Sequence, residues 1–321
     1  MIKKAPIKFL PYLKSVIWGG NKICKYKGIA QNEPNIGESW EISAVPGHES
    51  VVAEGEYKGE NLVELISKYG SELLGESVAK RYDNKFPLLI KFIDANDNLS
   101  VQVHPDDKLA QERHGCLGKT EMWYILDTEK DAKIYAGLNR KVTPDDYVKL
   151  VENGEFQDLL AVHDSFPGDL FFLPAGRVHA IGAGNLLLEI QESSDITYRI
   201  YDYDRRDATG NTRELHTELA TGAIDFEVYD NYKSDPAPAD VKEVELVKCD
   251  HFVTDRLIID GSADLKFDGE SFNVVICVEG EVNIVCEEGT TPVKAGESVL
   301  LPAVLTEVKL EGKGTVITTH C

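Results

Sequence analysis

The sequence predicts a mainly β protein made of two related jelly-roll units, the first of them carrying helical insertions. One basis is an internal repeat: Gly168-Asp-Leu-Phe-Phe-Leu-Pro-Ala-Gly-Arg-Val-His179 recurs 128 residues later as Gly296-Glu-Ser-Val-Leu-Leu-Pro-Ala-Val-Leu-Thr-Glu307. The glycine, the acid after it and the Leu-Pro-Ala coincide, the mark of a structural unit used twice. The other basis is punctuation, because short apolar runs are separated by Gly, Pro, Asn and Asp in the manner of strands.

In chain order the runs expected as strands are 87–93, 99–104, 122–126, 170–173, 186–190, 273–278 and 299–301. Helical periodicity is found at 61–74 and at 143–160. The second helix opens on Thr143-Pro-Asp-Asp146, a capping residue with proline in the first turn. Treated as an insertion, it lets the repeat extend upstream, so that Trp123 to Ile134 aligns with 275–284 at a wider offset. Each copy then reads as strand, turn, strand, Gly-acid turn and strand, as in a small double-sheet jelly roll. The Pro- and Ala-rich stretch Lys233-Ser-Asp-Pro-Ala-Pro-Ala-Asp-Val241 is the natural linker. It divides the chain into two units, 1–240 and 241–321.

Composition sets the class. The chain has 321 residues, 42% of them hydrophobic, and a mean hydropathy of −0.24, the profile of a soluble globular protein. No apolar run approaches the ~20 residues of a membrane span, and Met1-Ile-Lys-Lys4 is not followed by a signal-peptide core. A cytoplasmic location is expected. Cys24, Cys116, Cys249, Cys277, Cys286 and Cys321 form no Cys-x-x-Cys pair, which fits reduced structural thiols. A net charge of −21 repels nucleic acid and anionic lipid, so neither is an expected partner. An anionic substrate would need cations supplied inside its pocket.

The two copies differ where chemistry would sit, since His179 in the first is Glu307 in the second. Function is therefore expected in the first copy. Upstream, Ser100, Gln102 and His104 alternate with Leu99, Val101 and Val103 and so share one face of a strand. A second polar island, Lys119-Thr-Glu121, precedes bulky apolar residues, and His179 makes a third. Two imidazoles, a carboxylate and an amide oxygen suit Zn²⁺, while two imidazoles and a carboxylate also match the facial triad of non-haem iron. The plain alternative is a wet strand face and a surface-loop histidine. His48, His114, His163, His216, His251 and His320 show no partner pattern, and Trp18, Trp40 and Trp123 read as core.

Trp18-Gly-Gly20, Ile36-Gly-Glu-Ser-Trp-Glu-Ile-Ser43, Leu99-Ser-Val-Gln-Val-His-Pro-Asp-Asp107, Gly118-Lys-Thr-Glu-Met-Trp-Tyr124 and Pro174-Ala-Gly-Arg-Val-His-Ala-Ile-Gly-Ala-Gly184 together resemble type I mannose-6-phosphate isomerase (phosphomannose isomerase) in its short bacterial form. The resemblance runs in order over nearly the whole chain. It implies a cupin fold, hence two cupin-type jelly rolls, one zinc ion per chain, and interconversion of mannose 6-phosphate and fructose 6-phosphate through an enediolate. It also implies Gln102, His104, Glu121 and His179 as zinc ligands, Arg199 as the catalytic arginine, Lys119 in the active site, and Lys91 and Ser100 as substrate-binding positions.

Two departures limit what carries over. Ile181 stands where longer members have tyrosine, and the tail from Arg199 to Arg206 differs from theirs, so the phosphate-binding cations are not assigned. The proton-transfer group also stays open between Lys119, a zinc-bound water and Asp195. Arg199 has a structural alternative as an ion-pair partner of Asp195. Two other functions compete: a cupin oxygenase with iron on His104, Glu121 and His179, which leaves Gln102, Lys119 and Arg199 without work, and a non-catalytic sugar-binding cupin, which needs no tightly held metal.

Overall fold

The repeat is one of sheet topology as well as sequence. In a computed structural model describing residues 1–206 and 210–321, one antiparallel sheet runs Leu170–Leu173, Glu121–Thr128, Asn185–Glu192, Leu88–Ala95, Ile36–Ile42 and Tyr12–Gly20. A second runs Glu297–Leu301, Asn273–Cys286, Glu307–His320 and Val253–Lys266, with Glu243–Lys248 beyond one edge and Ile7–Leu10 and Val51–Val52 beyond the other. The first four strands of the two sheets correspond one to one. In the C-terminal unit the three longest strands, each of 14 residues, run on without a break. In the N-terminal unit each is cut in two, and Val101–Val103, His179–Ile181 and Lys133–Leu138 form a third sheet with Tyr198–Tyr201 and Leu160–Asp164 at its edges.

The long strands bend at glycine. Gly280 has φ +74°, and a Cβ there would lie 2.2 Å from the Lys313 carbonyl oxygen, so only glycine lets the two strands cross at that point. The register shifts nearby, between Cys277 and Glu279, as expected of a bulge.

Both expected helices exist but are shorter than their periodicity. Asn61 caps Leu62–Tyr69 through a reciprocal pair with Glu64, and the helix breaks at Gly70 (φ +48°) before Ser71–Leu74. Thr143 caps Pro144–Glu152 in the same way with Asp146; Gly154 (φ +72°) then ends it, leaving a 3₁₀ turn at Phe156–Leu159 and a strand from Leu160. This insertion lies between Lys133–Leu138 and Leu160–Asp164, where the C-terminal unit has only the short turn from Cys286 to Gly289. No helix among the described residues is long and apolar enough to cross a membrane.

The two units share a core. Ile7 pairs with Leu300, the backbone N–H groups of Phe272 and Ala303 donate to the Leu74 and Leu73 carbonyls, and one apolar cluster joins Leu88, Ile90 and Met122 to Phe272, Val274 and Ile317. A buried ion pair pins the seam. Lys27 Nζ lies 2.7 Å from Glu41 Oε1 and also donates to the Gly296 carbonyl, with both side chains at most 5% exposed. Lys27→Met should leave Glu41 as an uncompensated buried charge and cost ~3–5 kcal/mol. The check is a lower urea midpoint at unchanged slope; a midpoint like the wild type's would show that the pair contributes nothing.

Candidate metal centre

The break between the short and long strands of the N-terminal unit gathers the polar islands. Gln102 and His179 are direct cross-strand neighbours, and Glu121 opens its strand opposite Leu173 and beside Gln191. His104 follows the Val101–Val103 strand, just before Pro105. Val101 and Val103 point the other way into a core with Tyr147, Phe156 and Tyr198, as the alternation requires. His104, Glu121 and His179 are buried, and their ligating atoms all lie within 4.8 Å of one another.

The hydrogen bonds around these residues aim them inward. His104 Nδ1 lies 2.9 Å from the Ile196 carbonyl oxygen and His179 Nδ1 2.8 Å from that of Arg177. Each ring therefore donates from Nδ1 and turns an Nε2 lone pair toward Glu121, the outer-sphere arrangement that orients metal-binding imidazoles. His179 Nε2 is 3.3 Å from Glu121 Oε1 and His104 Nε2 is 3.6 Å from Oε2. Neither Glu121 oxygen makes a well-directed hydrogen bond, although Lys119 Nζ stands 3.1 Å from Oε2. A buried carboxylate left so is costly unless a cation completes it. Gln102 Nε2 sits 3.3 Å from His179 Nε2, and rotating this amide would present its oxygen instead.

Burial sets the protonation states. It is the main cause that pushes His104 well below its ordinary value and His179 down to about 3, with Lys119 adding to both. Both imidazoles are neutral at pH 7, the form that ligates. Burial also lifts Glu121 to about 7, against the pull of Lys119. The residues present thus fit a divalent cation: two oriented neutral imidazoles, an orphaned carboxylate and an adjacent amide.

A cleft of about 370 Å³ opens beside this set. Its walls include the cations Lys14, Lys91, Lys119, Arg199 and Arg213 and only three acids, Glu38, Glu189 and Asp195. In a chain of charge −21 this is a local positive field. Arg199 is registered opposite Gln102; its Nη1 donates to the Glu214 carbonyl at 2.9 Å and its buried Nε has no hydrogen-bond partner. Its guanidinium is held by that carbonyl rather than by Asp195. Lys119 Nζ also lies 3.1 Å from His104 Nε2, and Ser100 lines the cleft. Lys91 is clamped, 3.0 Å from Glu189 Oε1 and 3.9 Å from Glu38 Oε2, over the Trp40 ring.

Sequence reasoning missed Glu38, Glu189, Lys14 and Arg213. A signal existed for two of them. Glu38 and Trp40 are spaced to share a strand face, and Glu189 is a lone charge in the apolar run 186–190, where it accepts from Trp123 Nε1 at 2.8 Å. Burial alone would raise Glu189, but Lys91 and Lys119 outweigh it and hold the carboxylate low. The tryptophans are core side chains as expected, yet Trp18 and Trp40 also form cleft wall.

The register locates the matching positions of the second copy. Lys266 faces Glu307 where Gln102 faces His179, and Asn273 faces Leu301 where Glu121 faces Leu173. Lys266 Nζ is 3.7 Å from Glu307 Oε1 in an exposed pair, so a cationic side chain stands where the first copy has Gln102. Glu307→Gln should leave both metal content and turnover as in the wild type. A variant that binds one ion fewer would show that the second copy still holds metal.

Residues 7–145 match the family profile "Phosphomannose isomerase type I, catalytic domain", and 242–321 match "Mannose-6-phosphate isomerase, cupin domain". His179 and Arg199 lie between the two matched stretches. The chain is 40% identical to mannose-6-phosphate isomerase ManA of Bacillus subtilis over 98% of each protein, and 35% identical to the mannose-6-phosphate isomerase of Streptococcus mutans over 98% of each. It superimposes on the crystal structure of a Bacillus subtilis mannose 6-phosphate isomerase with a TM-score of 0.88, at 35% identity, covering 99% of this chain and all of that one.

Proposed function

The chain belongs to the type I phosphomannose isomerase family, and from that premise we propose that it interconverts mannose 6-phosphate and fructose 6-phosphate at the His104, Glu121 and His179 centre. The observation that carries the reading is the buried Glu121 carboxylate between two inward-facing neutral imidazoles, beside a cation-lined cleft that Gln102 and Lys119 line.

Gln102, His104, Glu121 and His179 would hold Zn²⁺, a four-donor set of three neutral ligands and one carboxylate. When bound, the ion supplies a net positive charge of about one that polarises sugar oxygens. The isomerisation moves a proton between C1 and C2 and passes through an enediolate, so the chain's own part is to hold negative charge on oxygen and transfer that proton. Lys119 and Arg199 are the donors placed to meet that charge. Ser100 and the Lys91, Trp40 and Glu189 wall shape the cleft, with Lys91 fixed by its two carboxylates. Among the titratable side chains of the cleft, Lys119 and Asp195 are the ones we propose to carry the proton. The iron-oxygenase alternative would leave Gln102, Lys119 and Arg199 unexplained, and a mere sugar-binding role would leave Glu121 unexplained. We assign catalysis to residues 1–240 and a structural role to 241–321, on the Lys266 and Glu307 pair.

The test is an NMR assay of mannose 6-phosphate in D₂O with the full, zinc-loaded chain. Fructose 6-phosphate should form, with solvent deuterium appearing at the transferred position or with intramolecular transfer of a C2 label. Failure to convert mannose 6-phosphate would overturn the reading.

A further inference from the structure

We propose that Asp107, Glu192 and His251 form a second divalent-cation site, at the seam where the C-terminal unit meets the backbone flanking Lys119. Their ligating atoms lie within 4.8 Å of one another; His251 Nδ1 is 3.0 Å from Glu192 Oε1 and 3.9 Å from Asp107 Oδ2. Each carboxylate has its other oxygen held by a backbone donor. Thr120 N–H donates to Glu192 Oε2 at 2.7 Å and Gly118 N–H donates to Asp107 Oδ1 at 2.8 Å. The remaining oxygens are thereby turned toward His251.

Glu192 is 1% exposed, and neither its Oε1 nor His251 Nδ1 makes a hydrogen bond despite their closeness. A plain ion pair would direct an N–H at the oxygen. Two atoms this close without donor–acceptor alignment repeat the relation of His179 Nε2 to Glu121 Oε1 at the proposed metal centre. With His251 neutral, the two carboxylates balance a divalent ion. One nitrogen and two oxygens, with Asp107 and His251 partly open to solvent, suit a borderline ion such as Zn²⁺ or Co²⁺ completed by water. Without an ion, the closeness of Glu192 is the main cause that raises His251 above its ordinary value, with Asp107 adding to it against burial and Arg81, so a bound cation would replace the proton on Nδ1. Thr120 lies between Lys119 and Glu121, so an ion here would fasten the C-terminal unit to the segment that carries both.

The test equilibrates the full chain with micromolar Zn²⁺, removes free metal by gel filtration and counts bound ions by mass spectrometry. Wild type should hold one ion more than His251→Gln and one more than Asp107→Asn, whose partly exposed side chain spares the fold. His179→Ala should keep the ion that those two variants lose, and added Zn²⁺ should raise its Tm but not that of His179→Ala combined with His251→Gln. Equal metal in wild type and both variants, or a loss in only one of them, would overturn the site and leave an ion pair. The His179→Ala arm reports separately on the catalytic centre, so the two readings fail independently.

Discussion

His179→Ala should abolish turnover by emptying the catalytic centre rather than by unfolding the chain. In the proposed ligand set the side chain is one of only two imidazoles, and its loss would leave Glu121, His104 and a weak amide donor to hold an ion. Outer-sphere partners of metal ligands already cost about 10- to 100-fold in affinity when removed, and a direct ligand should cost more. His179 also packs edge-on against Trp123 at 5.2 Å, so the variant opens a small void that should lower stability without preventing folding. Metal analysis and circular dichroism on the same sample separate the two effects. Equal zinc at the catalytic centre and near wild-type turnover would remove His179 from the ligand set.

Arg199→Ala carries the second large effect, and it should appear in kcat. If the guanidinium meets charge that develops on the enediolate oxygens, its removal lowers kcat and kcat/KM together, whereas a pure anchor for the phosphate would chiefly raise KM. Loss of one preorganised donor typically costs ~10²- to 10³-fold in kcat. Arg199→Lys keeps a charge but loses the planar fork and the bond to the Glu214 carbonyl, so it should recover little. Zinc should stay bound in both variants because arginine is no ligand. Unchanged kcat in the alanine variant at saturating mannose 6-phosphate would take Arg199 out of the chemical step.

Much of the fold was legible because the repeat conserves the residues that make turns and strand starts. Gly168 and Gly296 both take φ near +85°, at +89° and +84°, and the strands after them hold the same place in their sheets. The four residues expected around one ion also meet, since alternation along 99–104 places Gln102 and His104 on one side and register brings His179 across from Gln102. What escaped had physical reasons. The helix Asp107–His114 buries only Ala110 and so has no apolar stripe to read. The strands Val253–Lys266 and Glu307–His320 lose their apolar pattern at Asp260-Gly-Ser262 and Glu311-Gly-Lys-Gly314, where they bend and pass into solvent-facing sheet. Ile7–Leu10 joins the C-terminal sheet across nearly 300 residues of chain, and His251 meets partners from Asp107 and Glu192; pairings that distant leave no local trace.

Metal dependence of the isomerisation is the most direct measurement. The full chain, stripped with a chelator and checked for retained fold, should fail to convert mannose 6-phosphate, and Zn²⁺ should restore conversion to it but not to Glu121→Gln. Wild-type turnover by the stripped chain, or full restoration of Glu121→Gln by zinc, would contradict a catalytic centre built on His104, Glu121 and His179.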